Sequence, residues 1–261
     1  MKHQIFPMYL QELSIVIAAF LVVVVFMVGG AIKGALGFGL PLVTMALMTN
    51  FIPVQAALVI NALVLPFANI AQFMKPRLMR ETVWRFRYVL AGLILGTPCG
   101  AYLVGVINEP VLMFVLGLFV LLFSISSLFD MTFVLPQRYI HSSGTVVGLT
   151  AGIVGALTTT NGPIFIMYLV SLKEKRIMFL SALGLFFVVS GVMISSSFLA
   201  AGLVDIPRVI LAAFALPSAL LGMKIGNTVG NRIPQRIFKI GVAGMLCILG
   251  LNLFLRGLGN I

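Results

Sequence analysis

Gly29-Gly30-Ala31-Ile32-Lys33-Gly34-Ala35-Leu36-Gly37-Phe38-Gly39-Leu40-Pro41 sets five glycines, a lysine and a proline between two apolar runs. Glycine tolerates positive φ and proline lacks an N–H, so a helix is not expected to pass through unbroken. In a bilayer, backbone groups freed by a break persist only where they face protein or a polar cavity. The stretch therefore reads as a broken helix lining a site. A second stretch, Gly148 to Pro163, carries a similar cluster and also ends in proline.

The rest of the chain supplies the membrane. Of 261 residues, 61% are hydrophobic and 9% charged, with a mean hydropathy of +1.18. A soluble domain carries about 25% charged residues, so an all-α polytopic membrane protein is expected, with the lipid bilayer as its surroundings. The net charge of +11 is assigned to basic cytoplasmic loops facing anionic lipid. Nucleic acid is set aside as a partner, because one tryptophan and five tyrosines, with no soluble domain, make no stacking platform. Cys99 and Cys247 lie inside apolar segments, while His3 and His141 lie outside them. No metal site, no catalytic triad and no cofactor are expected from that material. The run from Leu13 to Ile32 is long enough to span and lacks a small-x-small cleavage site, so it reads as a retained helix.

Apolar segments fall near 13–33, 35–49, 54–74, 84–106, 110–129, 142–157, 162–172, 175–201, 206–227 and 236–256. That makes about ten, of which eight to ten are expected to span. The short ones, 35–49 and 162–172, each follow a glycine-rich break and read as half-helices or re-entrant pieces. The two sets of five resemble each other. Asn61-Ala-Leu lines up with Ser181-Ala-Leu, and Gly92/Gly96/Gly100 with Gly222/Gly226/Gly230. Pro110 to Gly117 matches Pro234 to Gly241, and Gly34-x-x-Gly37 recurs as Gly152-x-x-Gly155. Residues 1–132 and 133–261 are thus expected to be two repeats within one membrane domain.

Loop charges give the orientation. Lys75, Arg77, Arg80, Arg85 and Arg87 mark the third loop as cytoplasmic. Alternating from there also places Lys33, Arg138, Lys173, Lys175 and Arg176 inside. Five segments per half is an odd number, which inverts the second copy. Inverted repeats with broken helices are the architecture of many secondary transporters, with binding expected near the midplane.

At this point the chain resembles the TauE/SafE family of sulfite-exporter-like transporters over nearly its whole length. The resemblance rests on the two breaks ending in Pro41 and Pro163 and on a small or polar motif one helix later. Family members show Gly-Gly-Gly and Gly-Thr-Ser at these places. Here the first break keeps Gly37-Phe38-Gly39, the second reads Thr158-Thr159-Thr160-Asn161-Gly162-Pro163, and Asn61 and Ser181 stand where the Thr-Ser lies. The resemblance implies export or uptake of a small organosulfur anion (sulfite, a sulfonate or sulfoacetate) across a bacterial-type cytoplasmic membrane. A passive anion channel and a membrane accessory protein without transport are the alternatives.

The residues themselves support an anion site. Half-helix N-termini present unpaired N–H groups and partial positive charge. The candidate binding residues are Lys33, Gly37, Phe38, Gly39 and Pro41 in the first break. Thr159, Thr160, Asn161, Gly162 and Pro163 join them from the second, with Asn61 and Ser181 facing the same cavity. Asn69, Gln72, Ser190 and Ser195 to Ser197 are weaker candidates. Each has a plainer reading. Lys33 can snorkel to the interface, the threonines and Asn161 can cap a helix, Asn61 can bridge two helices, and the glycines can serve close helix contact. All six acidic residues fall in or beside loops, which argues against a cation substrate, a proton relay and an enzyme built on paired carboxylates. Protons are a candidate coupling ion only through the substrate or Lys33, and a homodimer is a candidate assembly.

Overall fold

The structure, a computed structural model, describes residues 8–73, 76–128, 140–230 and 235–259. Among them are eleven helices and no strand. They are α1 (Met8–Leu36), α2 (Leu40–Met48), α3 (Val54–Phe73), α4 (Pro76–Arg85), α5 (Arg87–Val106), α6 (Glu109–Leu128), α7 (Ile140–Thr158), α8 (Gly162–Ser171), α9 (Arg176–Ala200), α10 (Ile206–Gly230) and α11 (Gln235–Gly259). The side chains of Glu12, Gln72, Lys75, Arg77, Asp130 and Arg138 fall outside what is described. An all-helical chain follows from its apolarity, since a helix satisfies its own backbone without water. Pro66, Pro98 and Pro217 sit inside α3, α5 and α10, as neighbouring helices in apolar surroundings allow.

Among the described residues, six helices are long and apolar enough to cross a membrane, in α1, α5, α6, α9, α10 and α11. The apolar parts of α3, α7 and α8 are shorter. With nine and ten residues, α2 and α8 reach roughly 14–15 Å at the helical rise, half of a hydrocarbon core of about 30 Å. They are half-helices. Phe20, Leu95, Phe214 and Ile248 are exposed on the outside, as lipid-facing positions should be.

One expected segment is corrected. The run 84–106 is not one helix, because Phe86 (φ −105°, ψ 18°) separates α4 from α5. Residues 76–85 form an amphipathic helix, of which the expected segment took in only Trp84 and Arg85.

Each main helix pair takes one member from each half of the chain. These pairs are α1 with α10, α5 with α7, α6 with α11, and α3 with α9. The first two rest on the glycine ladders. A Cβ on Gly30 would lie 2.2 Å from the Ala219 carbonyl oxygen, and one on Gly226 would lie 1.9 Å from that of Ala31. On the other pair, Gly92 and Gly96 meet Thr145 and Leu149 at 2.1 and 2.3 Å. No side chain fits there, so the ladders are helix contacts of the small-xxx-small kind. Between these pairs lie α3 and α9, with α2 against α1 and α3, and α8 against α9 and α7.

Candidate functional site

The first break turns at glycine. Gly37 (φ 83°) ends α1 by donating its N–H to the Lys33 carbonyl at 2.7 Å, and Gly39 (φ 101°) precedes α2. Side chains rarely adopt these angles, which is why glycine stands at both positions. Pro41 occupies the first turn of α2, where its missing N–H costs nothing. Phe38 lies in mostly apolar surroundings. Its ring meets Phe123 edge-on at 6.1 Å and joins Ile32, Leu36, Leu42 and Leu246 around an apolar pocket.

Lys33, in the last turn of α1, is 4% exposed and does not snorkel. Its ammonium donates to Asn69 Oδ1 on α3 and lies 5.2 Å from the centroid of the Phe187 ring on α9. Asn69 is itself held, donating Nδ2 to the Leu65 carbonyl at 2.6 Å. The ion pairs among the described residues are Arg85–Glu174 and Arg208–Asp205, so Lys33 has no carboxylate partner there. One amide and one aromatic face do not neutralise a buried ammonium. An anion would.

The second break turns at Thr159 (φ 52°), whose N–H reaches the Gly155 carbonyl at 2.7 Å. Its hydroxyls fold back on their own segment. Thr158 Oγ1 donates to the Val154 carbonyl at 2.7 Å, Thr159 Oγ1 to that of Thr158 at 2.7 Å, and Thr160 Oγ1 to Thr158 Oγ1 at 2.8 Å. Asn161 precedes α8 without capping it, and Pro163 stands in the first turn. The capping alternative is therefore corrected: no side chain of Asn161 covers the helix start. Instead Asn161 Nδ2 donates to Ser190 Oγ on α9, and its Oδ1 is buried with no hydrogen-bond partner. The open first turn also touches Phe187, since a Cβ on Gly162 would lie 3.1 Å from that ring.

Phe187 therefore joins the two breaks, with Lys33 on one side and the start of α8 on the other. Ser190, one turn along α9, holds Asn161 on the same face. Two expected residues stand apart. Asn61 Oδ1 accepts from Thr44 Oγ1 at 2.6 Å and its Nδ2 donates to the Ala57 carbonyl at 3.1 Å, so it ties α3 to α2. Ser181 pairs with Thr82 on α4 at 3.0 Å. These partners tie Asn61 to the half-helix of the first break and Ser181 to α4. Gly155 lies inside α7, whereas Gly37 lies beyond the end of α1, and the residue with the matching turn is Thr159.

Asn69 and Ser190, weaker candidates on the sequence, lie against Lys33 and Asn161, and Phe187, which the sequence does not single out, lies against both breaks. An asparagine and a serine inside apolar helices were visible signals. Phe187, one of 21 phenylalanines, had none. No cluster of three or more metal-ligating side chains occurs among the described residues.

Residues 21–253 match the family described as sulfite exporter TauE/SafE. The chain belongs to the TauE/SafE family. This is a transporter family rather than an enzyme family, and with the apolar helices it makes the chain a multi-pass membrane transporter protein. No curated protein and no solved structure matches the chain.

Proposed function

We propose that the protein is a secondary transporter exporting a small organosulfur anion, such as sulfite, a sulfonate or sulfoacetate, across a cytoplasmic membrane. The observation that carries this reading is the Lys33 ammonium, buried without a carboxylate partner among the described residues and linked through Phe187 to the uncapped start of α8. The Lys33 charge, the first-turn N–H groups of α8 and the Nδ2 hydrogen of Asn161 that Ser190 leaves over are the donors this reading uses. A sulfonate or sulfite carries the oxygens to accept from them.

Transport works by alternating access between two inverted halves, 1–132 and 133–261. In support, exchanging the halves turns the α1–α10 pair into the α7–α5 pair, while α3–α9 and α6–α11 map onto themselves. Basic loops face the cytoplasm. Proton coupling runs through the ionising substrate or Lys33.

Uptake into proteoliposomes of sulfite, thiosulfate, sulfoacetate, taurine and carboxylate analogues tests the reading. Saturable, exchangeable flux of one sulfur anion, accelerated by an imposed pH gradient, is expected. Flux that neither saturates nor exchanges indicates a channel, and none with any anion overturns transport.

A further inference from the structure

Away from the breaks, α4 has a face that no described part of the fold covers. Its other face is tied down. Thr82 is buried against Ser181 of α9, and Phe86, just past the helix end, meets Phe186 edge-on at 5.3 Å. Arg85 Nε donates to Glu174 Oε1 at 2.7 Å, which fastens the helix end to the start of α9.

The exposed face carries Arg80, Val83 and Trp84, and Arg87 continues it into α5. Trp84 is 64% exposed, with the Arg87 guanidinium stacked 3.8 Å over its ring. Glu81 is the one acidic side chain described on this helix, while in the sequence Lys75 lies just before the helix and Arg77 in its first turn. A tryptophan bared to water beside guanidinium groups gains nothing. At a bilayer boundary the ring lies at headgroup depth and each guanidinium meets lipid phosphate. The position fits as well, because α4 leads directly into α5, one of the six helices long enough to cross.

We propose that α4 is an interfacial helix that binds anionic lipid, with Trp84 at the headgroup boundary and Arg80 and Arg87 on the lipid phosphates. The surface is independent of the transported anion. It gives the basic third loop a specific job beyond orienting the chain.

Trp84 is the only tryptophan in the chain, so its fluorescence reports on α4 alone. Full-length protein is placed in mixed phosphatidylcholine–phosphatidylglycerol vesicles in which one lipid at a time carries bromine near the headgroup. Stronger quenching by brominated phosphatidylglycerol at equal content is expected, with a preference of roughly fivefold per arginine. R80Q/R87Q should make the two lipids equal. Neither arginine forms an ion pair among the described residues, so this variant keeps its fold. Equal quenching by both lipids in the unaltered protein overturns the proposal, and so does a preference that survives in the double variant. Quenching by aqueous iodide alone would place α4 in water. Shielding from both iodide and lipid would mean that protein, a second copy or an acidic partner, covers this face.

Discussion

The break after α1 and the break after α7 turn the chain in the same way. Gly37 and Thr159 both take positive φ, and each N–H returns to a carbonyl four residues back at 2.7 Å. The offset that takes Gly37 to Thr159 and Pro41 to Pro163 also takes Lys33 to Gly155 and Gly39 to Asn161. Where the first half has a lysine and then a glycine, the second has a glycine and then an asparagine. The second arrangement is self-consistent, because a Cβ on Gly155 would lie 2.6 Å from Asn161 Nδ2. One half therefore supplies the charge and the other the amide. In the proposed site, two breaks of like backbone contribute chemically different sides.

Substitutions can test that division of labour. Lys33→Met should have the largest effect, lowering transport about a hundredfold through loss of a charged hydrogen-bond donor. Its melting temperature should hold or rise, because an unpaired charge leaves the interior. A variant that transports normally would remove the charged side of the comparison. Asn161→Ala should slow transport about tenfold, as expected for one neutral amide, with the protein still folded in the membrane. Unchanged rates would leave the second break as structure only.

The turns themselves should respond differently. Gly37→Ala forces a side chain into the left-handed region and should destabilise by about 1–2 kcal/mol, although nothing lies within 4 Å of the added Cβ. Thr159→Gly relieves the same strain, about 1–2 kcal/mol, which offsets the loss of its hydroxyl bond, so its thermal unfolding should hold while that of Gly37→Ala falls. Equal falls in both would show that the two turns are not equivalent. Phe38→Ala should change transport least, since its ring meets Phe123 and an apolar pocket rather than the charged side.

Much of this was legible in advance, for identifiable reasons. Apolar runs declare helices because composition alone determines whether backbone can be left without water. Glycine and proline declare breaks because their limits are local, so both turns and both half-helices could be read. What escaped depended on neighbours distant in sequence. Thr158 to Thr160 looked like ligand donors, yet their hydroxyls return to their own segment. Asn61 and Ser181 looked matched, yet one binds α2 and the other α4. The amphipathic α4 was hidden because its arginines read as a basic loop, while its exposed Trp84 read as the start of the next apolar segment.

The Gly29–Pro41 stretch shows where the boundary falls. Composition and residue type determined by themselves that this is a helical membrane protein interrupted twice, since propensity and desolvation act within a few residues. Whether Lys33 would reach the interface or stay inside was decided by the tertiary structure alone. Asn69, 36 residues away, and Phe187, on a helix from the other half, surround its ammonium. A charge feels whatever the fold brings within a few ångströms, and that neighbourhood is not written in the stretch that carries it.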